Sequence, residues 1–174
     1  AVDISNGFNN FFTNIGPSLA RKIPKSSKCY ADYLPQFSHP DFTFSIITED
    51  ILLETAKKLK PKLSAGSDGI STKLLKEIVP SIKKQLCFLF NLSFTSGYIP
   101  PELKIAKVIP IFKSEDCRDF NNYQPISLLN SLSKLMEKVV ASQMYKYLDK
   151  YNLFYKHQYG FRRGHSTIHP LLHF

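Results

Sequence analysis

The sequence predicts an α+β fold, mostly helical with a small antiparallel sheet. Two observations carry that expectation. Apolar residues recur at spacings of three and four through most of the chain, as they do in helices with one buried face. One stretch breaks the rhythm: Lys104 to Leu129 holds two short runs rich in Ile, Val and Phe around a polar segment of Ser, Asp and Asn. The totals permit such a fold, because 174 residues, 43% of them hydrophobic, are enough for a domain with a real core.

The elements follow in order. Phe8, Phe11, Phe12 and Ile15 sit at helical spacing, and the pattern predicts a break at Gly16-Pro17, then a short turn through Leu19, Ala20 and Ile23. From Pro24 to Phe44 no period survives, which reads as loop or linker. Thr48 to Lys60 is the clearest helix. Thr48 caps it, Glu49 and Asp50 lie at its positive end, and Lys57, Lys58 and Lys60 lie at its negative end. Ile51, Leu52, Ala56 and Leu59 form its apolar stripe, and Pro61 ends it. A sharp turn over Leu63–Ile70 follows, where Gly66 and Gly69 supply backbone angles that a side chain forbids. Leu74, Leu75, Ile78 and Val79 then run helically to Pro80. A second helix from Ser81 carries Ile82, Leu86, Leu89, Phe90 and Phe94, with Lys83 and Lys84 outside, and stops at Gly97 before Pro100-Pro101.

Ile105–Phe112 and Tyr123–Leu129 read as an antiparallel pair with an exposed tip. Pro110 and Pro125 confine both strands to edges, and Lys113 stands where the first strand leaves the sheet. Ser131–Tyr151 is a long amphipathic helix with Leu132, Leu135, Met136, Val139, Val140, Met144, Tyr147 and Leu148 on one face. Lys134, Lys138, Lys146 and Lys150 occupy the other and read as a solvated surface. Last comes a bend in which Gly160 and Gly164 bracket Phe161-Arg162-Arg163, with Ser166 or Thr167 positioned to cap a helix. Guanidinium groups there can fork onto phosphate or stack on a base.

Charge narrows the partners. With 23 Lys+Arg against 14 Asp+Glu the chain carries +9, a balance that favours a polyanion. Three scattered cysteines (Cys29, Cys87, Cys117) fit neither a disulfide framework nor a paired-Cys zinc site and point to a reducing, intracellular compartment. No apolar run approaches a membrane span, so no membrane partner is expected. The first residues lack a signal-peptide pattern and the last look like a helix just begun, so the chain reads as a piece of a longer polypeptide.

Several motif readings fail on their own chemistry. Asn91-Leu-Ser93 matches a glycosylation sequon by chance. Gly66-Ser-Asp-Gly69 matches the GXXG spacing of KH domains, but Asp68 would oppose the phosphates such a loop clamps. No Gly-Lys-Ser/Thr follows to make a P-loop. His165, His169 and His173 recur every four residues, yet Pro170 interrupts them and no Cys is near.

Five strings, in this order, carry a resemblance: SAGSDGISTKLLKE, SGYIPPELK, AKVIPIFKSED, NYQPISLLNSLSKLMEK and HQYGFRRGHST. Together they cover roughly Phe42 to Phe174 and resemble the start of the reverse transcriptases of non-LTR (LINE-type) retrotransposons. FNNFFTNIGPSLARKI resembles the linker that precedes that domain. The resemblance implies an N-terminal helical linker region over 1–44 and, over 45–174, the fingers part of a right-hand polymerase ending before the palm. It implies that Lys113, Gln124 and Arg162 lie on the incoming nucleotide, and that Tyr123, Pro125, Ile126, Ser127 and Arg163 lie on the template. The complete enzyme would take an RNA template, a DNA primer, dNTP and Mg²⁺, in the cytoplasm and nucleus.

This stretch departs from the family pattern. Gln124 stands where the family has an arginine that clamps triphosphate, and Gln replaces neither its charge nor its fork. Ala65 and Ser67 replace prolines common in the turn, which should loosen it. His165 falls where Arg and His both occur. Phosphodiester formation needs carboxylates holding two Mg²⁺ ions, and no catalytic residue or metal ligand is assigned here. The stretch is therefore expected to be inert alone, with copies associating through a palm-facing apolar surface. The alternative is a non-enzymatic basic RNA-binding module, which the charge, Arg162 and Arg163, and the 13% aromatic content also permit.

Overall fold

The computed structural model describes residues 2–33, 39–166 and 168–172. Among the described residues five α-helices and a two-stranded sheet follow in the order α1 (Val2–Ala20), α2 (Glu49–Lys57), α3 (Thr72–Ser96), β1 (Ala106–Phe112), β2 (Tyr123–Leu129), α4 (Ser131–Lys150) and α5 (Ile168–Leu171). The architecture is α+β, with helices α2, α3 and α4 packed on one another and the hairpin projecting from them.

Capping sets the helix starts as the sequence predicts. Thr48 accepts from the Ile51 amide and Ser71 from the Leu74 amide, which satisfies donors that have no intrahelical partner. At its far end α2 stops at Lys57, well before Pro61, because Lys76 of α3 reaches across and donates to the carbonyls of Lys57 and Leu59, both at 2.9 Å. α3 ends at Gly97 in the left-handed conformation, φ +70.

Two expected breaks do not occur. α1 runs through Gly16-Pro17, and α3 runs unbroken through Pro80. A proline inside a helix frees one carbonyl four residues back. Pro17 and Pro80 are both exposed, so the loosened turn faces water, and for α3 the loss is offset by continuous burial of Leu75, Val79, Leu86, Cys87 and Phe90.

The core is one cluster drawn from these three helices and the strand-like segment before α2: Ile47, Leu52, Ala56, Val79, Phe90, Leu135 and Val139 are all buried. Several expected core positions are exposed, Leu74 and Met144 among them. Ile51 and Leu89 face outward, and Thr55 and Cys87 take the inward positions. Burial pushes the Cys87 thiol pKa up, which keeps it a neutral packing group. Lys83 bonds Glu49 at 2.8 Å across α2 and α3 and holds that carboxyl below the usual range. α1 contributes nothing to this core. Its Phe8 and Phe11 instead pack on Phe120 and Tyr123 at the hairpin, while Ile15 stays exposed.

The segment between the stretch read as a linker and α2 is docked. The Asn91 side chain both accepts from the Ile47 amide (2.8 Å) and donates to the Ile47 carbonyl (2.9 Å). Gln143 does the same to Ser45, at 2.7 and 3.0 Å. Each amide side chain thus pairs with one backbone residue as a neighbouring strand would. Asn91 is thereby committed, and Ser93 is buried, which leaves the sequon without an accessible acceptor.

A polar junction at the start of α4 went unread in the sequence. Asn130 takes no capping bond within its own helix. Its amide donates to the Glu102 carbonyl (3.1 Å) and its oxygen accepts from the Ser67 hydroxyl (3.0 Å). Ser131 donates to the Ile70 carbonyl and Ser133 to the Leu103 carbonyl, each at 2.7 Å. All three side chains are buried, so each bond replaces water that the site excludes. Gly66 lies directly against Asn130: a Cβ there would come within 2.8 Å of the Asn130 backbone N and Cα. Its role is close approach, whereas Gly69, at φ +72, supplies the backbone angle. The turn is not loose. Ser67 gives it a bond that proline could not, and Asp68 accepts from the Ile70 amide at 3.0 Å.

Candidate functional site

Two elements carry the residues singled out from sequence: the β1–β2 hairpin and the bend after α4. The strands pair so that Ile109 faces Ile126, Pro110 faces Pro125 and Ile111 faces Gln124. The Lys113 amide donates to the Asn122 carbonyl at 2.9 Å, which makes that a hydrogen-bonded pair. Because such pairs alternate along an antiparallel ladder, Pro110 and Pro125 fall opposite each other at a non-bonded pair. Neither missing N–H costs the ladder a bond, which explains how two prolines share a sheet.

Alternation also sorts the side chains. Lys113, Gln124 and Ile126 share one face with Lys107, Ile109 and Ile111. Tyr123, Pro125 and Ser127 share the opposite face with Val108 and Phe112. Lys113 and Gln124 are diagonal neighbours across the strands, roughly 7–8 Å apart by sheet geometry, and both are exposed. The hairpin therefore brings an ammonium and an amide together on an open surface. Ile126, grouped by sequence with the template residues, lies on their side. On the other face Tyr123 packs on Phe8 (4.8 Å between ring centres) and Phe112 (5.3 Å), and its hydroxyl donates to the Cys117 carbonyl.

The hairpin tip is built from its own polar side chains. Asp116 accepts from the Arg118 amide and Asp119 from the Asn121 amide, both at 2.9 Å. Asn122 donates back to the Asp116 carbonyl, and Glu115 takes a positive φ of 70. These carboxylates shape a turn that sets the direction in which Lys113 leaves β1.

Arg162 and Arg163 belong to the second element, at the C-terminal end of α4. The Tyr145 hydroxyl donates to the Phe161 carbonyl at 2.6 Å, which fixes the bend to the helix. The Arg162 guanidinium lies 4.6 Å from the centre of the Phe154 ring. Arg163 is exposed and its carbonyl lies 3.1 Å from His165 Nδ1. Phe161 has φ +60 and a fully exposed ring, so the bend is turned outward at a backbone cost of order 1–3 kcal/mol. The anchors Tyr145 and Phe154 were not found from sequence; their one signal was an aromatic pair flanking the turn out of α4.

Two of the three recurring histidines, His165 and His169, fall among the described residues. His165 and His169 have ring centres 5.4 Å apart, but His169 Nδ1 already accepts from the Ser166 amide at 3.0 Å. Ser166 also accepts from the Ile168 amide and so caps α5, while Thr167 and His173 lie outside the described residues. Among the described residues no group of three or more His, Cys, Asp or Glu is placed to hold a metal ion, and no helix is long and apolar enough to cross a membrane.

No family model matches the chain. Several curated proteins do. The probable RNA-directed DNA polymerase from transposon BS of Drosophila melanogaster is 27% identical over 88% of this chain and 19% of its own length. The RNA-directed DNA polymerase from mobile element jockey of the same organism is 29% identical over 80% of this chain and 16% of its own. The probable RNA-directed DNA polymerase from transposon X-element is 31% identical over 61% and 12%. The chain thus spans less than a fifth of the length of these relatives.

Proposed function

We propose that this chain, homologous to one stretch of the RNA-directed DNA polymerases of non-LTR retrotransposons, is the fingers portion of such a reverse transcriptase. Lys113 and Gln124 of its hairpin, with Arg162 of the bend, hold the triphosphate of an incoming nucleotide, and Arg163 with Tyr123, Pro125, Ile126 and Ser127 meets the template. The observation that carries the reading is the shared face of Lys113 and Gln124, where one cation and one neutral donor stand beside each other on an arm of fixed direction. Arg162 and Arg163 supply the second contact, from a bend anchored to α4. The division near residue 44 follows the start of the core at Ile47, with α1 as a linker helix lying on the hairpin. RNA template, DNA primer, dNTP and Mg²⁺ are partners of the complete polymerase, at work in the cytoplasm and nucleus.

An apolar groove of about 550 Å³ between α3 and the start of α4, lined by Leu89, Leu92, Tyr98, Leu103 and Leu132, supports a seat for the palm. Without that palm, copies of this stretch pair through the same surface.

Four of the acidic residues are used structurally. Glu49 pairs with Lys83, Glu54 with Lys57, and Asp116 and Asp119 close turns. Given a primed RNA template, dNTPs and Mg²⁺, the 174 residues alone incorporate nothing; EDTA-sensitive primer extension would refute this.

Triphosphate binding tests the positive half. In an NMR titration with dNTP, Lys113→Ala weakens binding roughly ten- to a hundredfold, the loss of one charge-assisted bond of about 1.5–3 kcal/mol. Lys107→Ala, farther up the same face, leaves binding unchanged. Equal losses in the two variants would mean that general charge, not the arm, attracts the nucleotide.

A further inference from the structure

We propose that α1 is a displaceable cover: it lies on the Tyr123 face of the hairpin, and a single-stranded template must lift it to bind there. This cover presupposes the template role proposed for Tyr123, Pro125 and Ser127; what it adds is competition for that face. Phe8 stands 4.8 Å from Tyr123 and 4.7 Å from Phe120, ring centre to ring centre, and Phe11 stands 5.8 Å from Phe120. Tyr123 also meets Phe112 at 5.3 Å. A base stacked on the Tyr123 ring needs the place that Phe8 occupies.

Three features make α1 a cover and not a fixed part of the fold. Its hold is confined to one aromatic patch. Gly7, Phe8, Phe11 and Phe12 are half-buried, no residue of α1 is fully buried, and Ile4 and Leu19 of the same helix are exposed. Among the described residues its side-chain hydrogen bonds close within the helix, as from Thr13 to the Asn9 carbonyl and from Asn14 to the Asn10 carbonyl, both at 2.7 Å. Segments with so little burial open at small free-energy cost. The helix also carries one charge, Asp3, and no cation, so it has nothing with which to hold phosphate itself. Last, it lies on one face only. Lys113 and Gln124 share the opposite face, so the nucleotide arm stays open while the template face is closed.

Gly7 lets the helix sit this close. A Cβ there would come within 2.8 Å of Phe120 Cζ, and that ring is hemmed in by Phe8 and Phe11. Gly7→Ala therefore lifts α1 from the hairpin while altering no group that a strand would touch, and it favours the helix itself. Docked helix and bound strand exclude each other, so the apparent affinity for a strand is the intrinsic one reduced by the undocked fraction. Lifting a cover raises affinity, whereas removing a contact surface lowers it.

The test is fluorescence anisotropy with oligo(U) of about 16 nucleotides. Gly7→Ala and the double variant Phe8→Ala/Phe11→Ala each bind about three- to tenfold tighter than the parent, as expected of a cover closed in about two-thirds to nine-tenths of molecules. Ile15→Ala, on the exposed part of α1, binds as the parent does. If the double variant loses helix by circular dichroism, Gly7→Ala alone decides. Affinity for dNTP is the same in all of them, because the cover lies on the other face; a parallel fall would mean that α1 braces the hairpin, and overturns the cover. In the parent, NOEs between the Phe8 and Tyr123 rings vanish as oligo(U) saturates. NOEs that persist in the complex overturn the cover, as does equal or weaker binding by the opened variants. The two readings fail separately. If Tyr123→Ala weakens oligo(U) binding while the opened variants gain nothing, the template role stands and the cover falls. If Tyr123→Ala leaves binding by the opened variants unchanged, the template role falls and takes the cover with it.

Discussion

Gly66→Ala lowers the stability of this protein by about 2–4 kcal/mol, close to the effect of emptying part of the core. The new methyl group comes within 2.8 Å of the Asn130 backbone N and Cα and nearer still to its Oδ1. A flexible side chain could swing aside, but these backbone atoms open α4 and cannot. Overpacking of this kind costs about 1–3 kcal/mol. Separating the turn from α4 also strains the bond from Ser67 and the buried bond from Ser131 to the Ile70 carbonyl, each worth about 1 kcal/mol. In thermal unfolding the midpoint falls by roughly 5–15 °C for a chain of this size. Gly16→Ala is the contrast: no atom lies within 4 Å of the added carbon and the site is helical, so stability is unchanged or rises by up to about 1 kcal/mol. Adding Asn130→Ala to Gly66→Ala does not restore stability, since the clash is with backbone. A Gly66→Ala protein as stable as the parent would show that the turn and α4 do not meet as described.

Such a junction explains where the sequence could and could not be read. Local signals sufficed where one residue's chemistry decides the outcome. Thr48 and Ser71 cap, Gly97 terminates, and the Ser/Asp/Asn segment turns, because each acts on backbone within a few residues. The paired strands were legible for the same reason, and their register then fixed which of Lys113, Gln124, Ile126 and Tyr123 share a face. Prolines misled, because Pro17 and Pro80 disfavour a helix locally while their cost depends on whether the freed carbonyl faces water. Asn130, Ser131 and Ser133 looked like the ordinary start of a helix; only contacts across some thirty to sixty positions reveal them as a buried seam. Lys134 and Lys138 read as solvated from helical position yet are half-buried: nothing in their own element announces that they line a groove with residues of the α2–α3 connection.

A single change on the hairpin arm is also expected to produce a gain as large as the loss from Lys113→Ala. Gln124→Arg should tighten triphosphate binding roughly ten- to a hundredfold, because it restores a fork that Gln lacks at the position diagonal to Lys113. The site is ready for it. Gln124 is exposed and its backbone is paired with Ile111, so the change touches neither the ladder nor the core. One charge-assisted bond contributes about 1.5–3 kcal/mol. Salt above about 0.1 M trims the gain without removing it, since bonded contacts lie well inside the screening length. Direction and partner both matter. Gln124→Lys, with the same charge but no planar fork, should recover only part of the gain. In a Lys113→Ala background the benefit of Gln124→Arg should shrink, because two groups on one ligand are coupled. If instead Gln124→Arg gains equally with and without Lys113, or gains nothing, the two positions do not hold one triphosphate, and the hairpin's role as a nucleotide arm fails with them.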